Sequence, residues 1–342
     1  MAFIKGGNMK IQVNTKNRLY PIIIERGILA KVNEYIDKNR YVFIVSDDGV
    51  PNSYAQILLN QFPNAHLMVI PRGESSKCYE MLKKIHEEML ECNMSRNDLV
   101  IALGGGVIGD LAGLAAATYM RGIDYINIPT TTLSQIDSSI GGKTAINLGS
   151  YKNSVGAFWQ PKMVFVDLNT LVTLDKRNFN NGLAEAVKAG LIKDAELFEL
   201  FESDNYLDNL EEIIIRSLKM KKEVVENDER EKGERKLLNF GHTYGHAYES
   251  YYALEEYLHG ECVAMGMMTI LENEDIKNRL KNVLMKLNLP IACEADKEKI
   301  VELIKNDKKA DHDLISIIQV NEIGKSQIEE WTMDDIRRKL YE

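Results

Sequence analysis

The sequence predicts an α/β protein: a parallel sheet with crossover helices in its first half, followed by a mainly α-helical second half. Three observations carry this expectation. Short apolar, β-branched runs alternate with longer amphipathic ones as far as about Leu168. A glycine-rich turn separates one such run from a helix-compatible stretch, and from about Leu183 apolar residues recur at three- and four-residue spacing.

The strand-like runs, in order, are YVFIVSDDG from Tyr41, HLMVIPRGE from His66, NDLVIALGGG from Asn97, YINIPTTT from Tyr125 and KMVFVDL from Lys162. Each is rich in β-branched residues and most are bounded by Gly, Pro, Asn or Asp, as buried strands are. Cys78 to about Cys92 has helical periodicity, and so do LAEAVKAGLI, LEEIIIRSLKMKKEVV and KLLNFGHTYGHAYESY in the second half. The boundary falls between Leu168 and Gly182, which gives domains of residues 9–175 and 176–342. Met9 is an alternative start, and the residues before it are left out of the fold. NDEREKGER, residues 227–235, reads as a solvated, charged connector.

Composition narrows the function classes. A chain of 342 residues has room for two domains, and 45% hydrophobic with 27% charged residues is ordinary for a globular protein. The net charge is 42 − 51 = −9 with no long Lys/Arg tract, which argues against nucleic acid or an anionic membrane as partner. The chain lacks an apolar run of about 18 residues and opens without an apolar leader, so neither a membrane span nor secretion is expected. Cys78, Cys92, Cys262 and Cys293 are scattered with no C-x-x-C pair, which suits reduced thiols and a cytoplasmic location.

Gly104-Gly105-Gly106-Val107-Ile108-Gly109 follows the strand LVIAL and precedes LAGLAAATY. Such a turn offers backbone N–H groups and a helix N-terminus to a phosphate; its plainer role is a tight strand-to-helix turn. Asp124 lies 20 residues after Gly104, where a dinucleotide fingerprint places its ribose acid, but it follows Arg121-Gly122 late in the sheet. Asp47, directly after YVFIV, is the better placed acid, with turn capping as its alternative.

His242, His246 and His259 fall within 18 residues although the chain has only 6 histidines. The first two are four apart and share a helical face. Catalytic zinc takes three His, Glu, Asp or Cys ligands and keeps one position open. Spacing favours the three histidines, with Glu249 or Glu261 nearby; ordinary core or surface imidazoles are the alternative. Glu185, flanked by Ala184, Ala186 and Ala189, is an acid on a small apolar face, which implies burial beside a metal or a cation. Lys188 could supply that cation as a simple helical ion pair. The Gly- and Ser-rich segment 137–153 has too few apolar residues for a core element and reads as a functional loop. Lys143 and Lys152, with Arg121, Lys188, Lys221 and Arg235, could form an anion pocket, though each alone is an ordinary surface charge.

GGGVIGDLAGLAAATYMRG, IPTTTLSQIDSSIGGKTAIN, KNSVGAFWQP, NGLAEAVKAGLI, DEREKGERKLLNFGHTYGHA and HGECVAMGM, in that order, resemble the 3-dehydroquinate synthase family of sugar phosphate cyclases over roughly Val42 to Gly324. The resemblance implies a Rossmann-like NAD-binding domain followed by a helical metal- and substrate-binding domain. It implies Glu185, His242 and His259 as ligands of a divalent metal, zinc or else cobalt. It releases His246 for proton transfer, with Glu231, Lys143 and Lys188 as the other catalytic groups. The implied substrate is a seven-carbon keto-sugar acid phosphate, held by Arg121, Asp137, Lys143, Asn153, Lys188, Lys221, Arg235, Asn239 and, from the Asp307-Lys308-Lys309 motif, Lys309. NAD would contact Asp47, Glu74, Lys77, Gly105, Gly106, Val107, Asp110, Thr130, Thr131, Lys152, Thr170, Thr173 and Asn181. A homodimer is implied, because Arg121 in this family reaches the phosphate held by the neighbouring subunit. The implied reaction oxidises a substrate alcohol transiently, eliminates phosphate, re-reduces, and closes a ring by an intramolecular aldol step, within aromatic amino acid biosynthesis. A sister cyclase acting on another sugar phosphate, a metal-dependent polyol dehydrogenase and a non-catalytic relative are the competing readings.

Overall fold

The computed structural model describes residues 8–149, 151–253, 256–307 and 314–342. The chain divides into two compact units, the first ending at Asp175 and the second beginning at Lys176. Among the described residues no helix is long and apolar enough to cross a membrane.

The first unit is built on strands β1 (Met9–Asn14), β2 (Leu19–Ile24), β3 (Val42–Asp47), β4 (Ala65–Ile70), β5 (Leu99–Gly104) and β6 (Asp124–Pro129), then the pair β7 (Lys143–Leu148) and β8 (Tyr151–Phe158), and β9 (Met163–Val166). Helices α1 (Asn52–Leu59), α2 (Tyr79–Glu91) and α3 (Gly106–Thr118) connect them. Seven strands form one sheet in the order β1-β2-β9-β6-β5-β3-β4, antiparallel only between β1 and β2. Strands β3, β5, β6 and β9 are buried on both faces, which is why they read as continuous apolar runs, whereas β4 lies at the edge with Val69 exposed. Phe43, Val45, Val100 and Ala102 face one core with Leu111 and Ala115 of α3. Val42, Ile44, Leu99, Ile101 and Leu103 face the other with Ala55 and Leu58 of α1. At about 1.5–3 kcal/mol per large side chain fully buried, these two layers supply the driving force for this unit.

After β4 the chain returns to the other side of β3 to lay down β5, so the strand order reverses between β3 and β5. Their carboxyl ends, Asp47 and Gly104, open side by side at the point where doubly wound sheets bind ligands. Asp124 lies at the opposite end. It pairs in register with Leu99, at the start of β5, whereas Gly104 pairs with Pro129, a separation of about 16 Å along the strands. Arg18, Arg40 and Lys162 all bind its carboxylate. Burial opposes the Asp124 charge, but these three cations outweigh it and hold the carboxyl down at about 2. The residue that matched the fingerprint by spacing is therefore a structural ion-pair centre.

Segment 137–153, expected to be a loop, enters the antiparallel hairpin β7–β8 instead. Paired strands satisfy each other's backbone groups, so the hairpin needs few apolar anchors; Ile146 supplies one by joining the core beside α3. The Asn147 Oδ1 accepts from the Asn153 N–H at 2.8 Å and ties the turn.

The second unit contains α4 (Lys176–Lys193), α5 (Ala195–Glu202), α6 (Leu210–Asn227), α7 (His242–Tyr251), α8 (His259–Ile270), α9 (Glu274–Lys286), α10 (Lys297–Asp307) and α11 (Met333–Tyr341). It also holds a hairpin of β10 (Leu314–Glu322) and β11 (Lys325–Thr332) that helical periodicity did not anticipate. The run from Lys236 to Tyr251 is not one helix. A 3-10 turn over Glu234–Asn239 gives way at Gly241, whose φ of 77° is left-handed, and α7 begins at His242.

Helices α7 and α8 meet backbone to backbone, since a Cβ on Gly266 would lie 2.0 Å from the Gly241 carbonyl oxygen. Gly266→Ala is expected to destabilise the protein by at least about 1–3 kcal/mol, the cost of overpacking, despite the roughly 1 kcal/mol that alanine gains over glycine in a helix. Urea or thermal unfolding against the parent checks this; an unchanged midpoint would contradict the contact.

Candidate metal centre and cofactor site

On α4, Asn181, Glu185 and Lys188 follow each other at four- and three-residue spacing and so share one face. All three are buried, Glu185 and Lys188 at 3% exposure each. Glu185 Oε1 lies 3.7 Å from His242 Nε2 and 3.5 Å from His259 Nε2. Lys188 forms an ion pair with the other oxygen, yet neither carboxylate oxygen of Glu185 has a partner of hydrogen-bond geometry. A buried carboxylate left so, facing two imidazole nitrogens, fits a cation bound among the three side chains.

The imidazoles are aimed by their other nitrogens. His242 Nδ1 lies 3.1 Å from the Phe240 carbonyl oxygen, which can only accept, so the proton is on Nδ1 and Nε2 faces Glu185 with its lone pair. His259 opens α8, whose N-terminus is clamped to α4: Asn181 Oδ1 accepts from Gly260 N–H at 2.7 Å. A Cβ on Gly260 would lie 2.0 Å from the Asn181 carbonyl oxygen, so only glycine permits this approach. Glu261 accepts from Leu258 N–H at 2.8 Å and is gripped by Arg177 at 2.8 and 2.7 Å, which makes it a cap rather than a ligand.

His246 is exposed one turn after His242, their ring centroids 5.2 Å apart, and 6.1 Å from the ring of His259. Among the described residues, Glu185 with His242 and His259, and His246 with Glu249 and His259, bring ligand atoms within 4.8 Å of one another. The set of three histidines that spacing favours is not such a group. Spacing along one helix registers neighbours a turn apart and misses a partner 242 − 185 = 57 residues upstream.

The residues of the expected anion pocket in this unit are not surface charges: Lys188, Lys221 and Arg235 are all buried. Lys188 Nζ donates to the Leu238 carbonyl at 2.6 Å, and Asn239 Nδ2 donates to Glu231 Oε1 at 2.7 Å. Segment 227–235 is likewise more than a solvated connector. Asp228 accepts from the N–H groups of Lys232, Gly233 and Arg235, and Arg235 donates to the Glu229 carbonyl at 2.5 Å. Lys309 lies outside the described residues.

In the first unit, Gly105 and Gly106 open α3 at the end of β5, with Val107 and Asp110 following on the helix. Asp47 lines a cavity of about 460 Å³ with Ser46, Asp48 and Asn52. Its Oδ1 also accepts from Gly49 N–H at 2.8 Å, so the capping role coexists with the open position. Burial, aided by the Asp48 charge, pushes the Asp47 carboxyl above its usual value despite the backbone bonds. Buried Lys77 donates to Asp110 at 2.8 Å and to Asn153 at 2.5 Å, while Glu74 accepts from Asn147 at 2.9 Å. Burial disfavours the Lys77 charge, but Asp110 and Glu74 outweigh it and raise its pKa. Thr130 and Thr131 follow β6, and Thr170 and Thr173 lie in the 3-10 turn Leu168–Thr173 after β9; Gln135 ties the two together, its Nε2 donating to Pro129, Asp167 and Thr170. Lys143 and Lys152 are exposed on the β7–β8 hairpin, Asp137 precedes it, and Arg121 is exposed after α3.

Residues 67–181 match the family model described as 3-dehydroquinate synthase N-terminal, and residues 182–310 match 3-dehydroquinate synthase C-terminal. The chain is 41% identical over 337 residues to the 3-dehydroquinate synthase of Clostridium botulinum (strain Alaska E43 / Type E3), covering 93% of this chain and 96% of that one. Its fold is similar to 2-epi-5-epi-valiolone synthase from Streptomyces hygroscopicus, solved with NAD+ and Zn2+, at a TM-score of 0.87 and 28% identity over 96% of this chain and 97% of that one. It is also similar to 2-deoxy-scyllo-inosose synthase solved with carbaglucose-6-phosphate, NAD+ and Co2+, at 0.85 and 26% over 97% and 99%.

The three candidate ligands differ in how ready they are for a metal. Burial opposes the Glu185 charge, but Lys188 and the two imidazoles hold its carboxyl well below the usual range. Burial and Lys188 push His242 well below its ordinary value, so it is already neutral. His259 is the reverse: burial disfavours its charge, but Glu185 and Glu249 raise it to about 10. Metal must displace that proton. Binding is expected to release one proton per metal and to tighten about tenfold per pH unit between about pH 7 and 9, levelling off above about 10. Chelator competition across this range, with proton release in weak buffer, measures it; a flat profile would contradict the assignment.

Proposed function

The chain belongs to the 3-dehydroquinate synthase family, and from that premise we propose that it converts 3-deoxy-D-arabino-heptulosonate 7-phosphate to 3-dehydroquinate and phosphate. It is an NAD- and metal-dependent carbon–oxygen lyase of aromatic amino acid biosynthesis. The observation that carries the site assignment is the buried Glu185 carboxylate facing His242 Nε2 and His259 Nε2 with no hydrogen-bond donor of its own.

Glu185, His242 and His259 hold the divalent metal, zinc or else cobalt. NAD is held by Asp47, Glu74, Lys77, Asp110, Lys152, Asn181, the glycine turn Gly105-Gly106-Val107 and the threonines Thr130, Thr131, Thr170 and Thr173. When bound, NAD takes up and returns a hydride while the metal acts as a Lewis acid toward substrate oxygens.

The side chains do the rest. Lys188, hydrogen-bonded to the Leu238 carbonyl and ion-paired with Glu185, presents its positive charge to a substrate oxygen. Buried Lys221 and Arg235, with Asn239, restrain the carboxylate and hydroxyls, which accounts for cations inside a protein of net charge −9. By the same family resemblance Lys143, Asn153, Asp137 and Lys309 are further substrate-binding residues. His246, exposed beside the metal set and outside it, moves the proton on its imidazole, and Glu231, tethered by Asn239, is the second proton-transfer group. Elimination and ring closure then depend on a fixed geometry of the carbanion against the carbonyl.

The assembly is a cytoplasmic homodimer in which Arg121 reaches the phosphate held by the neighbouring subunit. The family resemblance supports this, and Arg121 is exposed after α3, as that role requires. The sister cyclases are less similar in sequence, at 26–28% identity against 41% for the synthase.

Phosphate release and 3-dehydroquinate formation from the seven-carbon substrate are expected with only catalytic NAD, to stop on chelation and to return with zinc. Stoichiometric NADH from a simple polyol would overturn the assignment. Glu185→Ala is expected to lose metal and activity together. His246→Ala should lower kcat by about 10²–10⁴ while keeping stoichiometric zinc; its loss would restore the three-histidine set.

A further inference from the structure

A metal-binding imidazole that offers Nε2 carries its proton on Nδ1, and that proton needs an acceptor. For His242 the acceptor is the Phe240 carbonyl. For His259 the group facing Nδ1 is Glu249, its Oε1 3.4 Å away, while Nε2 faces Glu185 at 3.5 Å. Residues 242, 246 and 249 follow α7 at four- and three-residue spacing, so Glu249 lies on the face of His242, about 10 Å further along the helix. Helix α8, which begins with His259, packs against α7. The Glu249 side chain is 8% exposed, and a carboxylate buried to that degree is retained only against a polar or charged partner.

We propose that Glu249 is the positioning residue of the metal centre: it accepts the Nδ1 proton of His259 and so aims Nε2 at the position shared with Glu185 and His242, without binding the metal. The inference rests on the reading of Glu185, His242 and His259 as the metal set. One other arrangement uses the same atoms, because His246, Glu249 and His259 also converge. Exposure decides between them: His246 is exposed, whereas both oxygens of Glu185 are buried and lack a donor.

The test is the zinc dissociation constant by chelator competition, with zinc content at saturation and the far-ultraviolet circular dichroism of the metal-free proteins. Glu249→Leu keeps bulk and removes the acceptor; it is expected to weaken zinc by about 10–100-fold while still filling at saturation. Glu249→Gln keeps an acceptor oxygen and should return to within a few-fold of the parent. Should the leucine variant not fold, Glu249→Asp, which withdraws the carboxylate by one methylene, is expected to show the same weakening. Zinc affinity within twofold of the parent in the leucine or aspartate variant, or a glutamine variant as weak as either, would overturn the proposal. Glu185→Ala tests the underlying reading separately: zinc loss there upholds the metal set whatever Glu249 does. Retained zinc there, with loss in Glu249→Gln and His246→Ala, would make Glu249 a ligand and end both.

Discussion

A carboxylate enclosed by helices demands positive charge beside it, and the second unit is organised around that demand at Glu185. Helix α4 carries its own partial answer in Lys188, but the Leu238 carbonyl draws on the same ammonium. The remaining charge comes from the His259 imidazole at the first residue of α8, while neutral His242, the first residue of α7, faces the same carboxylate oxygen. Losing one member of such a buried group leaves the others uncompensated, at a cost of about 3–5 kcal/mol. This is why the helix starts are fixed so closely, by Gly241 on one side and by Asn181, Glu261 and Arg177 on the other.

The first unit separates its two tasks along the strands. At their amino ends Asp124 collects Arg18, Arg40 and Lys162, tying together the approaches to β2, β3, β6 and β9. At their carboxyl ends the order reverses and loops replace packing: the glycine turn, Asp47, and the Lys77–Asp110–Asn153 network. The ion-pair centre and the candidate ligand position thereby lie at opposite ends of the same strands.

The sequence was most informative where structure is local. β3, β5, β6 and β9 could be read because strands buried on both faces leave uninterrupted β-branched runs. The hairpins β7–β8 and β10–β11 could not, since their stability comes from pairing across a turn rather than from apolar content. Among site residues, an acid at Glu185 among alanines correctly signalled burial. The role of Asp228 was illegible: composition records the charges in 227–235, while the fold turns Asp228 toward three backbone N–H groups and buries Arg235. Likewise Asn181 could be placed near a cofactor by resemblance, but its hold on the N-terminus of α8 depends on a contact 79 residues away.

The close approaches at Gly260 and Gly266 have a consequence for how this scaffold can diverge. Where one helix meets another through bare backbone, no side chain of any size can be admitted, so mutation has nothing to adjust there. A change of substrate has to be written elsewhere, at the buried cations Lys221 and Arg235 and in segment 227–235, while the glycine-bearing starts of α7 and α8 stay fixed. Tolerance to redesign in this protein is therefore expected to rise sharply within a few residues of each glycine contact.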